Sequence, residues 1–185
     1  MPQYNFIPFP EIQTQSLLLR QLLPSDREAI FVLRSDEAVN QYIARPRPTD
    51  ISEADAFIDK IAQRITEGQS VYWAITQAPN PALIGTICLW NFSEDGSMAE
   101  IGYELMPAYQ GKGIMQAAIQ AVLEYAFAQL GFDMVEAYTS LHNKPSIQLL
   151  LRNGFVHNPN KTDEDFPLNH IYFITKTVFY HAALP

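Results

Sequence analysis

The stretch Tyr109-Gln110-Gly111-Lys112-Gly113-Ile114-Met115 decides how the rest of the chain is read. It follows Met98 to Met106, a strand pattern, and opens Ile114 to Leu130, the longest helical pattern, in which Ala118, Ala121, Val122, Tyr125 and Ala126 can face a sheet. Two glycines at such a junction let a ligand reach the backbone with no Cβ in the way. Successive N–H groups at the helix start, helped by the helix dipole, favour a phosphate there, and Lys112 adds charge. Such a turn also serves merely to reverse direction, so the neighbouring sequence must decide.

Upstream, Gln15 to Leu22 reads as a first strand, with Ser25 or Asp26 as the N-cap of a helix over Arg27 to Arg34 and a short helix holding Ala38, Val39 and Tyr42. Ile51 to Ile65 sets Ala54, Phe57, Ile58, Ile61 and Ile65 on one face of a helix. Ser70 to Thr76 and Leu83 to Phe92 read as strands joined at Pro79-Asn80-Pro81, and with Met98 to Met106 they form an antiparallel meander. Downstream come a strand at Met134 to Thr139, a helix at Lys144 to Arg152 closed by Asn153-Gly154, and a last strand at His170 to Val178. A meander followed by alternation of strand and helix predicts an α/β architecture, a mixed sheet covered on both faces.

The 185 residues fit one domain spanning 1–185. A formal net charge of -8 opposes nucleic-acid binding and mildly attracts cations. Cys88, the single cysteine, excludes an internal disulfide and a cysteine zinc cluster, and its apolar setting from Leu83 to Trp90 reads as a buried structural thiol. No membrane-spanning run or signal segment is evident, so a cytoplasmic location is expected. His142 and His170 lack a second ligand at metal spacing, and no metal site is expected. Trp73 and Trp90 read as core side chains, with the lining of a groove as the other reading.

Gln110-Gly111-Lys112-Gly113-Ile114-Met115 resembles motif A of the GNAT acetyltransferases, Gln/Arg-x-x-Gly-x-Gly/Ala. Its last position departs from that pattern, and Gly-x-Gly-Ile-Met is similar to the form in the RimJ/RimL-type branch, which acetylates protein N-termini and related amines. His142-Asn143-Lys144-Pro145-Ser146 with Leu151-Arg152-Asn153-Gly154-Phe155 resembles motif B, while Ala99 to Leu105 and Leu17 to Arg20 resemble the strand before the pyrophosphate loop and the first strand. The resemblance implies a mixed, mostly antiparallel sheet of about seven strands, splayed after the fourth, that admits acetyl-CoA. The pantetheine arm would pair with backbone around Tyr103, Leu105 and Met106; backbone of Gln110, Gly111, Lys112, Gly113, Ile114 and Met115 would take the pyrophosphate. Asn143 would bond the pantetheine arm, although it also suits the N-cap of its helix.

Amine acylation needs a neutral amine, an oxyanion donor and a proton for the departing thiolate. The resemblance implies Glu100 as the base acting through water, with Glu104 on the same side of the strand; solvent-facing carboxylates are the other reading. Where many relatives carry an acidic tyrosine, seven residues after Asn143, this chain has Leu150, and Ser146 resembles the serine of the RimL-type branch; a local helix cap is its other reading. The implied activity is direct acetyl transfer in a ternary complex to a primary amine, a peptide N-terminus or a small amine, and the branch is compatible with a homodimer. The alternative is a weak or inactive acyl-CoA-binding sensor, which the missing tyrosine favours. A nucleotide-binding reading of the glycine turn lacks the Gly-Lys-Ser/Thr it would need.

Overall fold

The computed structural model describes residues 4–182. Its sheet has eight strands in the order β1-β2-β3-β4-β5-β6-β8-β7: β1 (Ile12–Gln13), β2 (Leu17–Gln21), β3 (Val71–Gln77), β4 (Asn80–Trp90), β5 (Met98–Leu105), β6 (Met134–Ser140), β7 (Val156–His157) and β8 (Asn169–Thr175). Every neighbouring pair is antiparallel except β5 and β6. The helices are α1 (Arg27–Ser35), α2 (Glu37–Asn40), α3 (Ser52–Thr66), α4 (Ile114–Ala128), α5 (Lys144–Arg152) and α6 (Lys176–Ala182).

Strand alternation sorts the sheet into two faces. Val71, Trp73 and Ile75 of β3, Ile87 and Leu89 of β4, and Ala99 and Ile101 of β5 share one face by register and are fully or almost fully buried. There α4 packs, placing Tyr125 edge-on to Trp73 at 5.5 Å. The opposite face carries Tyr72, Cys88, Trp90, Glu100, Gly102 and Glu104, and Tyr72 meets Phe57 of α3 at 5.7 Å. Most hydrophobic side chains therefore lie on the α4 face, and the carboxylates lie on the α1 and α3 face.

Several boundaries differ from the sequence reading. Gln77 pairs with Asn80, so the hairpin turns through Ala78-Pro79 and β4 begins at Asn80. The last strand stops at Thr175: the Lys176 N–H goes to the Asp133 carbonyl, the Thr175 hydroxyl accepts from the Val178 N–H, and Phe179 then packs on Phe127 from helix α6. Tyr42 falls beyond α2, and β1 and β7 are too short to leave a period in the sequence. Asp26 occupies the N-cap position of α1, but its carboxylate binds Arg20 and the Leu23 N–H instead of the helix. Trp73 is core, with its Nε1 donating to the Pro10 carbonyl at 2.7 Å, whereas Trp90 is 38% exposed and Cys88 is only partly buried.

Candidate active site

The splay between β5 and β6 is written in their register. The parallel ladder holds only Met98, Ala99 and Glu100 against Met134, Val135 and Glu136, and the strands then part. Met106 donates to the Ile84 carbonyl, which fixes the alternation along β5: even-numbered residues turn their backbone to β4, odd-numbered ones toward the gap. Tyr103 and Leu105 thus turn their backbone toward the opening, where the Leu105 carbonyl accepts from the Gln110 side chain. Met106 does not, because its N–H is held by Ile84 and its carbonyl accepts from the Tyr109 N–H; this corrects its place in the cofactor set.

At the end of β5 a 3-10 turn, Pro107–Tyr109, leads into the glycine loop. Gly111 and Gly113 have φ of 71° and 76°, backbone that side-chain-bearing residues adopt only with strain, and a Cβ at either would meet nothing within 4 Å. The loop is therefore open on its outer side. The N–H groups of Gly111 to Met115 have no acceptor among the described residues, leaving a row of free donors at the start of α4, which suits a pyrophosphate. The Gln110 N–H is already given to the Pro107 carbonyl, and its side chain donates to the Leu105 carbonyl at 2.9 Å; Gln110 braces the loop and offers no N–H to an anion. Ile114 and Met115 point into the core, which explains how a large Met115 fits where the family pattern has a small residue. Lys112 is exposed, its Nζ 5.7 Å from the centre of the Tyr109 ring.

Across the gap, Asn143 caps α5, accepting the Ser146 N–H on its side-chain oxygen at 3.2 Å. Pro145 in the first turn, where an N–H has no helical partner, suits that start. Ser146 is turned toward the gap, its Oγ 2.8 Å from the Tyr103 hydroxyl. Burial pushes the Tyr103 phenol up to about 12, partly offset by the bond to Ser146, so it stays protonated at neutral pH. Leu150, at the position of the relatives' tyrosine, is fully buried.

On the other face of β5, Glu100 is 9% exposed and its carboxyl is raised to about 7, first by burial and further by Glu136 and Asp163, against a hydrogen bond from Asn91 and the charge of Lys161. Asn91 donates from Nδ2 at 3.2 Å, holding the left-handed backbone (φ 50°) that asparagine tolerates better than most residues. Glu136 is the register partner of Glu100, buried, and takes Lys161 Nζ at 2.5 Å. Glu104 lies on the same side as Glu100 and forms a two-pronged ion pair with Arg45, whose Nε also donates to Asn40.

Tyr103 as a hydroxyl partner, Glu136, Asn91 and Lys161 escaped the sequence reading. Only strand alternation hinted at any of them, since Glu136 stands within the apolar run of β6. His170 stacks on His157 at 4.7 Å, and among the described residues no group of three or more His, Cys, Asp or Glu side chains is placed to hold a metal ion.

A free-donor loop at a helix start beside an open sheet edge is an arrangement that can take a phosphate-bearing co-substrate. The family model described as an acetyltransferase (GNAT) domain matches residues 16–156, and the chain belongs to that family. An uncharacterized N-acetyltransferase of Bacillus subtilis (strain 168), YoaA, is 33% identical over 147 residues, covering 80% of this chain and 83% of that protein. A GNAT-family acetyltransferase structure from Bacillus anthracis matches with a TM-score of 0.78 at 22% identity, over 91% of this chain and 99% of that one. A spermidine N-acetyltransferase from Vibrio cholerae, solved with CoA and spermine, matches at 0.77 and 21%, over 90% and 99%. The fold is the GNAT fold, and the chain is an acetyl-CoA-dependent N-acetyltransferase.

Proposed function

We propose that this domain acetylates a primary amine by direct attack within a ternary complex, with Glu100 as the base and the Ser146–Tyr103 hydroxyl pair as the source of the returning proton. The carrying observation is that these groups flank the gap from opposite faces of β5: Glu100 lies on the α3 face, Tyr103 on the α4 face. The amine gives up a proton to Glu100 through water, the C–N bond forms at the thioester carbonyl, and the C–S bond then breaks. The thiolate takes its proton from the Ser146 hydroxyl, Tyr103 passes its proton to Ser146, and solvent returns one to Tyr103. Backbone of Tyr103 and Leu105 aligns the pantetheine arm, the side-chain amide nitrogen of Asn143 supports it, and Gly111 to Met115 hold the pyrophosphate.

The Gly-Lys-Gly-Ile-Met loop and Ser146 favour the RimJ/RimL-type branch, and a co-substrate of central metabolism favours the cytoplasm. The Leu150 position also supports a second reading, an acyl-CoA sensor without turnover. Calorimetry with acetyl-CoA followed by thiol release on a panel of peptides and small amines separates the two. Amine-dependent release that is lost in Glu100→Gln establishes the transfer; binding without release on any amine leaves the sensor.

A further inference from the structure

The acceptor side of the sheet carries an imbalance that the acidic composition conceals. Arg45 spends all three guanidinium nitrogens, Nε on Asn40 and the other two on Glu104. Arg34, in the last turn of α1, stands over Phe57, its Cζ 3.9 Å from the ring centre. Phe57 in turn abuts Tyr72, the β3 neighbour of Cys88. Arg34 is half-buried, and none of its guanidinium nitrogens has a hydrogen-bond or carboxylate partner among the described residues. Glu104 is already held by Arg45, and burial together with Arg45 lowers the Arg34 pKa against the pull of Glu104.

A cation at a helix C-terminus is favourable on its own, but that role leaves the side chain in solvent. Here it lies over an aromatic ring, which holds the cation while leaving its N–H groups free to bond a carboxylate. Glu104, the carboxylate nearest this pair, lies four residues along β5 from Glu100, about 13 Å at ordinary strand rise. An acceptor reaching from one end to the other would bring its amine toward Glu100 and its far end to Arg34.

We propose that Arg34 recognises the acceptor, and that the acceptor is a small amine bearing a carboxylate, separated from its nitrogen by several bonds. The inference rests on the transferase reading above and narrows its substrate class away from polyamines, which carry no anion.

The test is thiol release at saturating acetyl-CoA with ω-amino carboxylates, from glycine to 11-aminoundecanoate, each beside its carboxamide. Wild-type protein should favour the carboxylate of at least one chain length by about tenfold or more in kcat/KM, a difference of roughly 1.4 kcal/mol. Arg34→Met should erase that preference through KM while leaving acetyl-CoA binding and turnover of the carboxamide unchanged, and Arg34→Lys should keep part of it. Equal use of carboxylates and carboxamides by the wild type overturns the inference and leaves the transferase reading intact, even if Arg34→Met does not fold. No thiol release from any amine, with acetyl-CoA bound, removes both.

Discussion

The Tyr103 hydroxyl and the Ser146 Oγ meet at 2.8 Å across the gap between β5 and α5, joining the two halves of the sheet by side chains where the backbone ladder has ended. A serine in a first helical turn usually bonds locally. Here only its N–H serves the cap, through Asn143, and its hydroxyl is released to Tyr103.

If that pair returns the proton, Ser146→Ala and Tyr103→Phe should each lower kcat by about 100- to 10,000-fold, the range for lost general-acid help. Because they act in series, the double variant should be scarcely worse than either single one. Additive losses in a double-mutant cycle of thiol release would show that they act separately.

Glu100 makes a pH prediction with two signs. With its carboxyl raised from 4.5 to about 7, activity should climb as pH passes through about 7 and the base becomes charged. Stability should move the other way: between about 4.5 and 7 the folded state holds the proton more tightly than the unfolded chain, so stability falls as pH rises, by on the order of 3 kcal/mol. Glu100→Gln should abolish the activity limb and flatten that decline in urea melts across this window.

Removing the neighbouring charge should move the limb predictably. Glu136 raises the Glu100 pKa, so in Glu136→Gln the rise in kcat/KM should begin at lower pH. The freed Lys161 charge pulls in the same direction. A limb displaced upward would mean that another group is titrating.

Gly113→Ala forces a side chain into backbone at φ 76°, a strain of about 1 kcal/mol, although open space surrounds the new methyl. The KM for acetyl-CoA should rise several-fold with kcat nearly kept. An unchanged KM would mean that the loop does not carry the pyrophosphate.

Arg45→Met strips Glu104 of its partner while both lie largely buried, at 16% and 13% exposure of the side chains. Breaking such a pair costs about 2 to 4 kcal/mol, readable in chemical denaturation, and Arg45→Met with Glu104→Leu should recover much of it.

Much of this was legible because periodicity and caps are local. The α5 bounds fall at Lys144 and Arg152 as read, and the buried stripe of α3, Ala54, Ile58, Ile61 and Ile65, follows the sequence spacing. The loop at Gly111 and Gly113 could be read for the same reason. What escaped depends on pairing across the chain. Glu136 looks like any strand carboxylate until the parallel register sets it beside Glu100, and Tyr103 meets Ser146 from 43 positions away. Sequence assigns Met106 and Gln110 to the cofactor set because it shows the loop without showing which of its N–H groups are already spent.

The three-residue ladder between β5 and β6 has a thermodynamic corollary. A co-substrate whose amides pair with Tyr103 and Leu105 would act as a missing length of strand, so ligand would belong to the cooperative unit that unfolds. At a hundred times its dissociation constant it would add about 2.7 kcal/mol to the unfolding free energy. Amide exchange along β6 and β8, the portion beyond the gap, would slow when acetyl-CoA binds, while β3 and β4, already paired on both edges, would report little change.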